Sequence, residues 1–140
     1  MVVALLPLLP NDPGIPYAVL PTAAQLRALD SRLAHGLRLG RIHVVRVDSS
    51  CTTDACARKA AANAGASIAV YGETTRYLAM IWATHVLAVN VTTGCQVADL
   101  QAGYKGDYEA MSAGMDELGQ ALVRDLNHPA HPKSCPTTPP

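Results

Sequence analysis

The order of the apolar segments constrains this chain more than any single motif does. Two strand-then-helix units lead into three consecutive strands and a closing helix, β-α-β-α-β-β-β-α. A strand, a helix and a further parallel strand join by a right-handed crossover, so the first three strands are expected to lie parallel and adjacent. Two hairpins then extend the sheet antiparallel. The expected fold class is α/β (α+β): a five-stranded mixed sheet of order 2-1-3-4-5 with three helices packed on it.

Each segment has a local reason. Residues 2–9 form an unbroken apolar run, as a strand covered on both faces requires. No Lys or Arg precedes the run and no Ala-x-Ala follows it, so it reads as a first strand rather than a secretory leader. Residues 10–21 read as a loop, with Asn11-Asp12-Pro13-Gly14 as its turn signal. Thr22 caps a helix whose stripe is Leu26, Leu29, Leu33 and Leu37, and Gly36 and Gly40 mark its fraying end. Residues 42–47 form the second strand. Residues 53–63 form an Ala-rich helix, stopped by Gly65.

Three strands follow, at 67–77, 81–91 and 95–104, turned at Leu78-Ala79 and at Thr92-Thr93-Gly94. Gly72 within the first of them predicts a bulge or a close backbone approach. Along 81–91 the odd positions are apolar apart from His85. They are expected to face the core, leaving Trp82, Thr84 and Asn90 on a wetter side. Asp107 caps the last helix, 108–126, whose stripe is Met111, Met115, Leu118, Leu122 and Leu126. Residues 1–127 make one domain, and 128–140 a Pro-rich tail.

Composition removes several function classes. Charged residues are 16% with a formal net charge of zero, so there is no basic face for nucleic acid and no polybasic membrane anchor. Low charge favours association, and a protein partner or a homo-oligomer is expected. Aromatic residues are 4% with no Phe, too few for a stacking platform. No run reaches the ~18 apolar residues that span a bilayer.

Four cysteines, Cys51, Cys56, Cys95 and Cys135, allow three connectivities. Cys51 and Cys56 flank the start of the second helix and suit a structural bridge; a redox pair would more usually be spaced Cys-x-x-Cys. A Cys95–Cys135 bridge would pin the tail to the sheet. His128 and His131 with Cys135 supply at most half a metal site, and neither metal nor cofactor is expected. His85 reads as a satisfied core or interface histidine. Glu73 and Arg76 on the third strand and Asp99 on the fifth read as a solvated sheet face, the two carboxylates being separated by the fourth strand. Gly103-Tyr104-Lys105-Gly106-Asp107 lacks a phosphate loop, and Asp107 would repel an anion. Trp82 with Tyr71 or Tyr77 is the expected partner-binding patch.

The ordered pieces resemble a known group. They are Val3-Ala4-Leu5-Leu6-Pro7, the segment 40–47, the cysteine pair before Gly65-Ala66-Ser67-Ile68-Ala69-Val70-Tyr71-Gly72, Thr93-Gly94 and Gly106-Asp107. Together they resemble small bacterial periplasmic proteins related to the TolB N-terminal domain, an α/β arrangement shared by CsgG and LpoB. The resemblance covers about residues 2–126. It implies a periplasmic protein that acts by binding other proteins, and it carries over no catalytic residue. A non-enzymatic envelope accessory or assembly protein is the expected function. The alternatives are a small accessory subunit of a periplasmic redox enzyme, a thiol–disulfide active protein using Cys51 and Cys56, and a small-ligand carrier with its crevice at the strand carboxyl ends.

Overall fold

The computed structural model describes residues 1–78, 80–128 and 132–136, with Tyr108 described by its backbone alone. Its elements are β1 (Val2–Leu5), β2 (Leu9–Pro10), α1 (Ala23–Leu39), β3 (His43–Arg46), α2 (Asp54–Asn63), β4 (Ile68–Tyr77), β5 (Ile81–Asn90), β6 (Gln96–Lys105) and α3 (Tyr108–Leu126). The five main strands lie in the order β3-β1-β4-β5-β6, which is the expected order. β3, β1 and β4 are parallel, and β5 and β6 are antiparallel.

One expectation changes at the first strand. The run 2–9 is not continuous: it splits into β1 and the two-residue β2, which pairs with β4 beyond the end of β1. Pro7 has no N–H to give to a ladder, so pairing fails there. Leu6 N–H still reaches Val70 O at 2.9 Å. The next donor, Leu8 N–H, leaves the sheet and bonds to Asp30 Oδ1 of α1 at 2.8 Å.

Helix ends follow their capping residues. Thr22 and Gln25 form a reciprocal capping box on α1. Thr53 caps α2 through Cys56 N–H, and Asp107 caps α3 through Ala110 N–H. Gly36 does not mark a frayed end, because α1 runs on to Leu39. A Cβ on Gly36 would lie 3.4 Å from the Gly119 Cα, so α1 and α3 meet there backbone to backbone.

α1 and α3 cover one face of the sheet and α2 the other. The larger core holds Leu29, Leu33 and Leu37 of α1, Met111, Met115 and Leu122 of α3, and Val3, Val70 and Val86 from the strands. Each large side chain so buried contributes roughly 1.5–3 kcal/mol before entropy is counted. The smaller core sets Ala57 and Ala61 of α2 on Ala4, Ala69, Tyr71 and Val89.

This unequal cover reverses the expected facing of β5. Trp82, Val86 and Ala88 enter the α1/α3 core, and Thr84 is buried with them. Ala83, His85 and Leu87 are half-exposed on the α2 side, and Ile81 is exposed. A polar Thr84 is tolerated in the interior because its hydroxyl pairs with that of Thr74 at 3.0 Å. Val89, the next odd position, enters the α2 core by the same alternation, and the register shift at Ala88/Val89 falls in the pairing of β5 with β6.

Gly72 shows the close approach that its position in a strand predicts. A Cβ there would sit 2.1 Å from His85 O, a backbone atom that cannot rotate away. Gly72→Ala is expected to lose about 2–3 kcal/mol or more in urea denaturation. Gly65→Ala, in open space at φ 74°, should lose only about 1–2 kcal/mol.

Asp30 supplies a pH test. Burial pushes its carboxyl up from the ordinary 3.8 to about 6, against the opposing pull of Leu8 N–H and Arg46. The folded state therefore holds this proton more tightly than the unfolded chain does. The stability that results is complete below about pH 4 and is lost as pH rises through about 6. Asp30→Asn keeps an acceptor for Leu8. It is expected to flatten that slope and to raise stability near pH 7 by at most about 3 kcal/mol, measured by denaturation between about pH 4 and pH 7.

Candidate functional site

The expected patch of Trp82, Tyr71 and Tyr77 does not exist as one surface. Side chains alternate across a strand, so Trp82 takes the face opposite Tyr71 and Tyr77, and those two stand well apart along β4. Trp82 is 4% exposed in the α1/α3 core, with the Arg76 guanidinium 4.7 Å above its ring centroid. Tyr71 is equally buried, but on the α2 face, where its hydroxyl donates to the Asp54 carboxylate. Burial first, and then the Asp54 charge, raise the Tyr71 phenol well above its ordinary range. Only Tyr77 approaches the surface, tilted against Tyr17 with ring centroids 6.5 Å apart.

The cysteines form two bridges, Cys51–Cys56 and Cys95–Cys135. Cys51 is buried beside α2, and Cys56 is exposed in the first turn of that helix. The second bridge holds the tail against β6, where Lys133 N–H reaches Gln96 O at 2.7 Å and Ser134 O accepts from Gln96 N–H at 2.6 Å. His131 lies outside the described residues. Among the described residues no group of three His, Cys, Asp or Glu side chains has the geometry to hold a metal.

His85 is neither buried nor solitary. It stands between two carboxylates on the part of the sheet that α2 does not reach. Glu73 is its cross-strand partner on β4, and Asp99 of β6 meets His85 Nε2 at 2.6 Å. A cavity of about 270 Å³ lies beside them, walled by Leu9, Cys51, Tyr71 and Leu87. Both partners of the His85–Asp99 pair are substantially exposed, so water screens it and the pair holds less than about 1 kcal/mol.

The feature with most functional content joins the loop before α1 to the turn between β4 and β5. Tyr17, Val19, Leu20, Leu78, Met80 and Ile81 are all exposed, and they gather at the end of the sheet where β4 turns into β5. The chain around Tyr17 to Leu20 runs along the end of β4. Ala18 bridges to Tyr77, Val19 N–H reaches Arg76 O at 2.9 Å, and Leu78 N–H reaches Tyr17 O at 3.0 Å. Met80 O accepts from Gly106 N–H at 2.9 Å, tying the turn to the start of α3. Leu78 is 61% exposed and Met80 57%. Leu78 also holds φ 50°, a conformation that Leu rarely adopts. A signal was present in the sequence: the β4–β5 turn reads Leu-Ala-Met, without the Gly, Asn or Asp that hairpin turns favour.

No protein-family model matches the chain, and no curated protein matches it. Solved structures do match. The lipoprotein GNA1162 from Neisseria meningitidis superposes with a TM-score of 0.55 at 16% identity, over 93% of this chain and 96% of its own. The PelC dodecamer from Paraburkholderia phytofirmans gives 0.53 at 17% identity, over 91% of this chain and 84% of a PelC chain. TolB from Acinetobacter baumannii gives 0.53 at 16% identity; the match covers 92% of this chain and 28% of TolB. The chain has the TolB-like α/β fold that its sequence resembles. Likeness at such identities speaks for the fold alone.

The methionines report on this surface. With dilute hydrogen peroxide and peptide mass spectrometry, Met80 is expected to form its sulfoxide rapidly. Met111 and Met115, both buried, are expected to stay unmodified until the protein unfolds.

Proposed function

We propose that this protein is a non-enzymatic component of the bacterial cell envelope that works by docking on another protein through the apolar end of its sheet. One observation carries the reading. Among the described residues, six of the eight exposed large apolar side chains crowd that one end, held there by backbone hydrogen bonds rather than on a loose segment. Scattered apolar residues on a surface need no explanation, whereas a contiguous group is the mark of an interaction site.

The compartment is supported by different features. Two disulfide bridges suit an oxidising environment outside the cytoplasm. A fold neighbour that the chain covers almost end to end is a lipoprotein. No helix among the described residues is long and apolar enough to cross a membrane. Thiol exchange at Cys51–Cys56 has less support, because Cys51 is buried and packs in the α2 core.

Leu78→Asp and Met80→Asp test the reading. Each is expected to melt within a few degrees of the wild type, since neither side chain is in the core. Each is also expected to free the protein from its native envelope complex, seen by sedimentation of gently solubilised membranes. Trp82→Ala should instead lose about 3–5 kcal/mol of stability. Unchanged sedimentation of both aspartate variants would remove this surface from consideration.

A further inference from the structure

We infer that the crevice where β1 and β3 end is a binding site for a small organic carboxylate. The inference goes beyond the docking reading and uses none of the residues of the apolar end. The crevice is a cavity of about 370 Å³, within the range of small-molecule sites. β1 and β3 are parallel neighbours, and Leu5 pairs with Arg46 at the last register of the two strands. The chain leaves β1 towards α1 on one face of the sheet and leaves β3 towards α2 on the other. Open α/β sheets bind ligands in crevices outside the carboxyl ends of their strands.

Asp30 lies at the base of the crevice and is only 3% exposed. Its Oδ1 accepts from Leu8 N–H at 2.8 Å. Among the described residues its Oδ2 has no hydrogen-bond partner, and that oxygen is left open to the cavity. Arg27, one turn before Asp30 on α1, and Arg46 of β3 line the same cavity and are exposed. Neither guanidinium makes a hydrogen bond or ion pair among the described residues. Leu5, Pro7 and Val47 supply an apolar wall.

The charge balance selects the ligand. Arg27 and Arg46 bring two positive charges, and Asp48, also on the cavity, brings one negative charge. Residues 2–8 carry no charged side chain, and no charged residue of α2 or α3 lines the cavity. With Asp30 protonated the site therefore holds one net positive charge, which a carboxylate neutralises. A guanidinium fork matches the planar carboxylate, and protonated Asp30 donates a further hydrogen bond to it. An organic cation would meet two guanidiniums instead. Burial keeps the proton on Asp30 up to about 6, and a bound anion holds that proton more firmly still. Binding is therefore strongest below about pH 6 and weakens as pH rises above it.

Benzoate is the probe, with benzamide as its uncharged counterpart. Each is titrated to about 20 mM into the full chain, and amide proton–nitrogen correlation spectra read the occupancy. At about pH 5 benzoate is expected to give saturable shifts of the Leu8 and Val47 amides, and benzamide is expected to leave them unmoved. Affinity for benzoate is expected to fall about tenfold between about pH 5 and about pH 7. Arg27→Gln and Arg46→Gln, both at exposed positions, are each expected to weaken binding about tenfold at the lower pH. Asp30→Asn keeps an acceptor for Leu8 and gives the cavity a permanent donor. It is expected to bind benzoate at about pH 7 as tightly as the wild type does at about pH 5. Leu8 and Val47 amides that ignore benzoate overturn the inference. Equal binding of benzamide overturns it too, as do folded arginine variants that bind like the wild type. Benzoate binding that responds neither to pH nor to Asp30→Asn takes Asp30 out of the site and overturns the inference as well.

Discussion

Two long helices lie against one face of the sheet and a ten-residue helix lies against the other, and this inequality decides which side each strand residue turns to the larger core. The deep α1/α3 layer takes the bulky groups, Trp82 among them, because more apolar surface leaves water there. The α2 layer is thin. Its Ala57 and Ala61 let helix and sheet approach closely, and Leu6 and Tyr71 are the large buried side chains of that cluster. Beyond the reach of α2 the sheet stays wet, and the row of Glu73, His85 and Asp99 belongs there. The close contact of Gly36 with Gly119 belongs to the same economy of space, since it draws α1 and α3 together over a single sheet face.

The apolar end is a departure from that logic. Six large side chains remain in water although the core is otherwise well filled, and Leu78 takes a left-handed conformation worth about 1–2 kcal/mol of strain. A turn under no functional demand would carry Gly or Asn at that place. Burial of this surface in a complex would return roughly 25 cal/mol for each Å² removed from water.

The disulfides stand where the core does not extend. Cys51–Cys56 joins the segment after β3 to the first turn of α2, the shortest of the three helices. Cys95–Cys135 brings Lys133 and Ser134 alongside Gln96, which occupies backbone groups at one end of the β6 edge. An exposed edge strand invites unwanted pairing, and a tethered tail blunts it.

Element identity, strand order and helix caps were legible in the sequence, because they depend on local periodicity and on the chirality of crossovers. The leucine stripe of α1 and the methionine–leucine stripe of α3 pointed inward as their spacing required. The facing of β5 was not legible. Its odd and even positions carry apolar residues on both sides, and alternation alone cannot say which face meets two helices and which meets one. For the same reason the sequence did not show that Trp82 faces away from Tyr71 and Tyr77. The apolar end needed tertiary structure more than any other feature, since Tyr17 and Met80 are far apart in the chain and meet only when the loop before α1 folds along the end of β4. Sequence by itself determined which segments become strands and helices and the order in which they join; the three-dimensional packing decided which side chains are left in water, because exposure depends on contacts between segments distant along the chain.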